Sequence, residues 1–276
     1  RSLAHELVQN ADDAPTAGSI SFNIGDSALI IDNDGFFSEC QDVSTDECSW
    51  KEDSVHNHRC DFHRFRRIAS GDKRGQQGTT GAFGIGFIAV YQITDSPEVI
   101  SRGRHWILNE DRPEDQRIEV CPGCTNCRRP DLPGTRFILP WAKDPESALR
   151  RALRVEAISA DGPDRLIDEL KSSLPTAMLF LKRLRTVEVI RDGKCLQRLE
   201  RLDDGASLIL SDGEVGADQV WHIVEGDFST NADHLRARYP GKIEEKRSPK
   251  VKLAIPASAL ATGLLCACLP TQQDVG

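Results

Sequence analysis

The stretch Glu6-Leu7-Val8-Gln9-Asn10-Ala11-Asp12-Asp13-Ala14 constrains this chain more than any other. At 3.6 residues per turn, Glu6, Asn10 and Asp13 fall at i, i+4 and i+7 and share one helical stripe, while Leu3, Leu7, Ala11 and Ala14 can face a core. A solvent-facing helix pairs its acids with lysines at i,i+4. This one has no lysine, and its early bases are Arg1 and His5. A capped surface helix ending at Pro15 has the same outline, so the stripe takes its meaning from the residues C-terminal to it.

The 276 residues, 39% hydrophobic and 28% charged, suffice for a real core in one large or two ordinary domains of a soluble globular protein. A net charge of -8 argues against a broad nucleic-acid or anionic-membrane surface, although a local basic patch at Arg64-Phe65-Arg66-Arg67 is compatible with that total. No apolar run approaches a membrane span, and the start carries no signal-peptide pattern. The nine cysteines, an odd number in a chain of ordinary size, fit a reducing compartment, and a cytoplasmic location is expected. The chain opens inside a helix and stops just after an apolar strand, so it is expected to be a piece of a longer protein.

Ser19 to Ile24 alternates apolar and polar residues, Gly25-Asp26 marks a turn, and Ala28 to Ile31 returns as a buried strand, which together predict a hairpin. The second strand runs into Asp32-Asn33-Asp34-Gly35, where a carboxylate at a strand's end could accept a hydrogen bond from an exocyclic amine such as adenine's; a plain Asx turn reads the same way. Residues 38 to 80 are polar, with Phe62, Phe65, Ile68 and Ala69 hinting at a short amphipathic helix, and a segment of this length reads as a lid. It closes on a glycine-rich loop, Gly75 to Gly86, that feeds an apolar helix. Such glycines let the backbone approach a ligand, and helix N-terminal amides attract phosphate. The loop is neither a Walker A sequence nor a dinucleotide fingerprint.

Glu6…Asn10…Asp13-Ala14, then Asp34-Gly35, then Gly81-x-Phe83-Gly84-x-Gly86-Phe87, and finally Gly134-Thr135 opening a strand, resemble in that order the GHKL superfamily, the ATP-binding domain shared by gyrase, the ninety-kilodalton heat-shock chaperone, sensor histidine kinases and MutL. Within it the wording is most similar to the sacsin and NO VEIN type, through Glu-Leu-Val-Gln-Asn-Ala-Asp-Asp-Ala, Phe83-Gly84-Ile85-Gly86-Phe87 and Ala177-Met178-Leu179-Phe180-Leu181-Lys182. The resemblance implies an α+β fold: a Bergerat-type two-layer α/β sandwich over residues 1–142 with a lid at about 38–80, then a partial α/β transducer-like domain over 143–276.

It also implies ATP and magnesium as ligands. Glu6 would polarise the attacking water, Asn10 would hold magnesium, and Asp13 would lie beside the nucleotide. A base and a metal ligand one helical turn apart suit a triphosphate lying along the helix. Asp34, or alternatively Asp32, would bind adenine; Gly81, Phe83, Gly84, Ile85, Gly86 and Phe87 would cradle the phosphates; Thr135 would support the adenine end. Lys250 and Lys252 lie where a phosphate-sensing cation could be supplied.

Cys121-Pro122-Gly123-Cys124 is a C-x2-C knuckle, and Cys127 adds a third candidate zinc ligand, with Cys60 or His63 as a fourth if the fold brings them near; reduced surface cysteines are the competing reading. His56 and His58 read as solvated. Beyond Trp141, residues 144–173 read as helical with a break at Asp161 to Asp164, and Ala177 to Leu184 as another apolar helix. Strands are predicted at 186–191, 195–202, 206–210, 219–225 and 250–255.

The expected function is an ATP-hydrolysing module of a sacsin-like, chaperone-type conformational ATPase, whose partners would be a polypeptide client or other domains of a larger chain, with nucleotide-dependent dimerisation and no membrane. The alternatives are an ATPase module of a MutL-like or MORC-like DNA-repair, chromatin or phage-defence protein, with nucleic acid as a less favoured partner, or a non-hydrolysing nucleotide-binding or zinc-binding interaction module.

Overall fold

The computed structural model describes residues 3–14, 16–45, 47–51, 59–69, 87–113, 116–127, 134–203, 207–213, 216–242 and 250–258. Along them run α1 (Leu3–Asp13), β1 (Ser19–Ile24), β2 (Ala28–Asn33), α2 (Asp61–Ala69), β3 (Glu98–Ser101), β4 (Arg104–Leu108), β5 (Ile118–Val120), β6 (Thr135–Pro140), α3 (Ala148–Leu153) and α4 (Gly162–Met178). There follow β7 (Thr186–Arg191), β8 (Lys194–Asp203), β9 (Ser207–Asp212), β10 (Ala217–Asp227), α5 (Ser229–Arg238) and β11 (Lys250–Pro256). Short 3₁₀ turns occupy Ser49–Lys51 and Phe87–Gln92.

These strands form one mixed, 11-stranded sheet in the order β11-β10-β9-β8-β7-β1-β2-β6-β3-β4-β5. Registers set a row of large side chains across it: Val189 opposite Phe22, Phe22 opposite Ile31, Ile31 opposite Phe137, Phe137 opposite Val99, and Val99 opposite Trp106. All six are buried. Because side chains alternate between faces with period two, this row defines one apolar face, and the strict alternation of half-buried and buried residues along β1 is its local signature.

Helices cover that face. From α1 come Leu3, Ala4, Leu7, Val8 and Ala11, from α2 come Phe62 and Phe65, and from α4 come Leu166, Ile167, Leu170, Leu174 and Met178, all in one buried cluster. Pro175 sits inside α4 and costs that helix about 3 kcal/mol. At roughly 1.5–3 kcal/mol for each large apolar side chain buried, the five from α4 outweigh it, so the helix continues to Met178. The break read at Asp161 to Asp164 is the start of α4, with Asp161 as N-cap and Pro163 in the first turn, where its missing N–H removes nothing. The apolar stretch after Met178 is not helical. There the chain turns sharply because the buried Asp12 carboxylate gathers the amides of Lys182, Arg183 and Leu184 at 2.8, 2.7 and 2.8 Å.

Sheet and core run unbroken past residue 142. β7 pairs in parallel with β1, and α4 contacts α1 and shares its core cluster. The outer edge of β1 is open to a parallel partner, which requires a crossover, and the passage through α4 supplies it. The second half of the chain therefore continues the first half's sheet.

Candidate functional site

On α1 the buried residues centre on Ala4, Leu7 and Ala11, and the stripe through Glu6 and Asn10 borders them: both are half-buried, while Gln9 is exposed. The Nδ2 of Asn10 is buried with no hydrogen-bond partner among the described residues. Leaving a buried donor unmet costs on the order of 1–3 kcal/mol. A fold that keeps one calls for an explanation, such as a ligand or an ordered water that completes the bond. Ala14, the residue after α1, packs beside the end of β2: a Cβ built on Gly35 would lie 3.0 Å from the Cβ of Ala14 and 3.2 Å from that of Ala17. The C-terminal end of α1, one turn beyond Asn10, therefore lies against the end of β2. Asp13 is the last residue of α1; its side chain lies outside the described residues.

At the end of β2 three successive residues take different partners. Asp32 points away from the helices and forms a bidentate ion pair with Arg136, at 2.6 and 2.8 Å. Asp34 accepts the amides of Gly18 and Ser19 at 2.7 and 3.0 Å and the Ser19 hydroxyl at 3.0 Å, closing the start of β1 onto the end of β2. Between them Asn33 is buried on the helix-covered face, opposite Ile20 and Thr135, and its Oδ1 accepts the Gly35 amide at 2.9 Å. Both carboxylates considered for adenine thus have protein partners, and the side chain presented toward α1 is the amide of Asn33.

Thr135 is buried, with its Oγ1 2.9 Å from the Oγ of Ser101, which in turn accepts the Phe37 amide at 3.1 Å. Asn33, Thr135 and Ser101 make a short polar strip in an otherwise apolar face. Gly134 is required beside it, because a Cβ there would fall 2.1 Å from the Asn33 carbonyl oxygen.

Gly81, Phe83, Gly84, Ile85 and Gly86 lie outside the described residues, as do residues 70–80 of the expected lid and His56 and His58. Phe87 is described. Its ring is buried in the core, 5.2 Å from Phe65 and 5.4 Å from Phe137. Where an apolar helix is expected after the glycines, the described residues form a short 3₁₀ helix, Phe87–Gln92. Arg150 clamps its far end: fully buried, it pairs with Asp95 at 2.6 Å and donates to the carbonyls of Tyr91, Gln92 and Thr94, satisfying acceptors that a short helix leaves open. The first part of the expected lid is packed against the sheet, with Cys40, Val43, Cys48, Cys60, Phe62 and Phe65 all buried.

Cys121, Cys124 and Cys127 stand together with a fourth potential ligand, His105, their ligand atoms all within 4.8 Å of one another. Pairing of β4 with β5 sets Trp106 opposite Val120, and the Cys121 amide donates to the His105 carbonyl at 2.9 Å, which draws the cysteine loop over β4. The His105 Nδ1 lies 3.5 Å from the Cys124 sulfur, while its Nε2 donates to Glu98 at 2.8 Å, the carboxylate support that fixes a metal-binding imidazole. The two sulfurs of Cys124 and Cys127 are 3.7 Å apart. Burial opposes ionisation of Cys124 but is outweighed by hydrogen bonds from Cys127 and the Asn126 backbone, which bring its thiol down to about 7.

Two sequence expectations need correction. The fourth partner of this cysteine loop is His105, because the loop sits beyond β4 and β5 at one edge of the sheet, whereas Cys60 and His63 at the start of α2 stand with Cys40 and Cys48 in a separate buried cluster. Lys250 and Lys252 are held by Glu225 at 3.3 and 3.5 Å on β11, six strand positions from β2 in the sheet order, a span of about 29 Å. Neither lysine is near Asn33 or Thr135.

Residues 1–115 match the family model described as Sacsin domain. Sacsin of Homo sapiens is 33% identical over 97 residues, which cover 35% of this chain and 2% of the human protein. The chain therefore spans a very small part of that relative's length. The family match covers the segment that holds α1, the β1–β2 hairpin and the Phe87 turn. Among the described residues, no helix is long and apolar enough to cross a membrane.

Proposed function

We propose that the chain carries an ATP-binding, magnesium-dependent hydrolysing module of a sacsin-like, chaperone-type conformational ATPase, working in the cytoplasm on a polypeptide client or on other domains of a larger chain. The observation that carries this reading is the buried Nδ2 of Asn10, which has no hydrogen-bond partner among the described residues and sits one turn before the end of α1 that packs beside Gly35. A half-turn about the last side-chain bond exchanges Nδ2 for Oδ1, a magnesium ligand, so Asn10 fits the role of holding the ion. Magnesium bound there would neutralise phosphate charge. Glu6, one turn earlier on the same stripe, would accept the proton of the attacking water, and Asn33 with Thr135 would supply the hydrogen-bonding edge for the base.

Magnesium-dependent phosphate release from ATP by the full-length protein, with and without an unfolded polypeptide or DNA, tests the proposal. Stimulation by polypeptide fits the chaperone-type reading; stimulation only by DNA, lost at high salt, would reassign the module to the nucleic-acid class. Asn10→Ala is expected to weaken magnesium-ATP binding about tenfold while leaving the melting temperature level or raised, since it removes an unmet donor. A parallel loss of stability with unchanged affinity would make Asn10 a packing residue. A non-hydrolysing nucleotide-binding module is the second reading, and ATP binding without phosphate release would select it. The cluster of His105, Cys121, Cys124 and Cys127 is proposed as a zinc site, on the convergence of its four ligand atoms and the support that Glu98 gives the imidazole.

A further inference from the structure

The segment between β2 and α2 poses a physical problem. From Ser38 to Cys60 its described residues include one regular element, the 3₁₀ turn Ser49–Lys51, yet Cys40, Val43, Cys48 and Cys60 are buried. A long polar loop with few large apolar side chains cannot hold itself down by hydrophobic burial, because ordering each residue costs roughly 1–2 kcal/mol. Something local must fasten it.

Four buried side chains converge inside this loop: Cys40, Cys48, Cys60 and His63 place one ligand atom each within 4.8 Å of all the others. The His63 Nδ1 lies 3.2 Å from the Cys60 sulfur and 3.5 Å from that of Cys40. A zinc tetrahedron with metal–sulfur bonds of about 2.3 Å and metal–nitrogen bonds of about 2.0 Å has sulfur–nitrogen edges of about 3.5 Å. The observed separations match that edge to a few tenths of an ångström.

The imidazole is also prepared for the role. His63 Nε2 donates to the Thr45 carbonyl at 3.0 Å, which leaves the lone pair on Nδ1, the atom aimed at the sulfurs. The Cys60 amide donates to the Cys48 sulfur at 3.3 Å, as amides do to metal-bound thiolates, and the positive charges of Arg59 and Arg66 act on His63. Cysteines that merely fill a core would need neither the imidazole nor its carbonyl support. No disulfide joins any of the three sulfurs.

We propose that Cys40, Cys48, Cys60 and His63 bind one zinc ion in a closed, structural Cys3His centre, distinct from the cluster around His105. Loading replaces the proton of each of the three thiols by the metal, three protons passing to solvent, and leaves a centre of net charge minus one that the neighbouring arginines balance. Four protein ligands leave no open position, so the centre is structural rather than catalytic. It ties the loop to the first turn of α2 and thereby seats Phe62 and Phe65 in the core beside Phe37 and Phe87.

Elemental analysis of the full chain, purified with zinc and dialysed against metal-free buffer, tests this. Two zinc equivalents are expected for the parent, one for His63→Ala, one for Cys124→Ser, and two for His63→Cys, which restores a four-ligand set. Should His63→Ala not fold, cobalt substitution of Cys124→Ser, in which the other cluster is broken, replaces it: charge-transfer absorption at the intensity of three thiolates is expected from this centre. Equal zinc content in a folded His63→Ala protein and the parent, a cobalt-treated Cys124→Ser protein without the charge-transfer absorption of three thiolates, or iron in this centre would each overturn the proposal. None of these readouts involves ATP, so the nucleotide reading stands or falls separately.

Discussion

A Glu6→Gln protein is expected to bind ATP within about twofold of the parent and to lose turnover by about 10²–10⁴-fold, the usual weight of a general base. The amide matches the carboxylate in shape, so the half-buried position keeps its packing while the carboxylate that would accept the proton is lost. The position is suited to the task. Glu6 lies one helical turn from Asn10 on the flank of α1, and the buried side of the same helix, Leu3, Leu7 and Ala11, fixes the helix against the core. A base on a rigid helix stays aligned with a water between cycles, as a base on a loop would not. Single-turnover phosphate release, measured beside nucleotide affinity and a thermal melt, checks the expectation. Turnover at the parent's rate would remove Glu6 from catalysis, and a large fall in melting temperature would show that its part is structural.

How much of this was legible in the sequence depended on where period and partner lie along the chain. The β1–β2 hairpin follows from its alternation and the Gly25-Asp26 turn, and β7 to β11 fall close to the strands expected because each is long enough for a pattern to appear. β3 and β5 have four and three residues, too few for alternation to show, and β3 to β5 went unread. The parallel pairing of β1 with β7 has no local signature, since its partners are far apart in sequence, as with Ser19 and Thr186. Register also decided the chemistry at the end of β2. The two acids drew attention, but side-chain alternation turns Asp32 outward to Arg136 and leaves Asn33 on the helix-covered side. His105 is sixteen positions before Cys121 and fits no ligand spacing; only the β4–β5 pairing brings it to the cysteine loop. In the same way Cys40 and Cys48 became candidates only when the loop's path was known.

Asp12→Ala is expected to lower stability by on the order of 3–5 kcal/mol, the cost of removing one member of a buried, hydrogen-bonded charged group. Its carboxylate, 4% exposed, is the acceptor for three consecutive amides, those of Lys182, Arg183 and Leu184. Without it those donors lose their acceptor at the point where the chain leaves α4 and enters β7, beside the fully buried Leu184. Three such bonds join the first helix to a turn some 170 residues later, and with them the parallel β1–β7 pair is held in register. Against a total stability of about 5–15 kcal/mol the loss is a large fraction, and at about 2–4 °C per kcal/mol for a chain of this size it lowers the melting temperature by about 6–20 °C. Asp12→Asn should fall between, since its carbonyl oxygen keeps one acceptor while its amide group meets an N–H head-on. The neighbouring stripe makes the contrast sharp: a change at Glu6 should move rate without stability, and a change at Asp12 stability first. Thermal and urea unfolding, with hydrogen exchange at residues 182–184, read the outcome. An Asp12→Ala protein that melts within a degree or two of the parent would mean that the joint between α1 and β7 is carried by apolar packing alone.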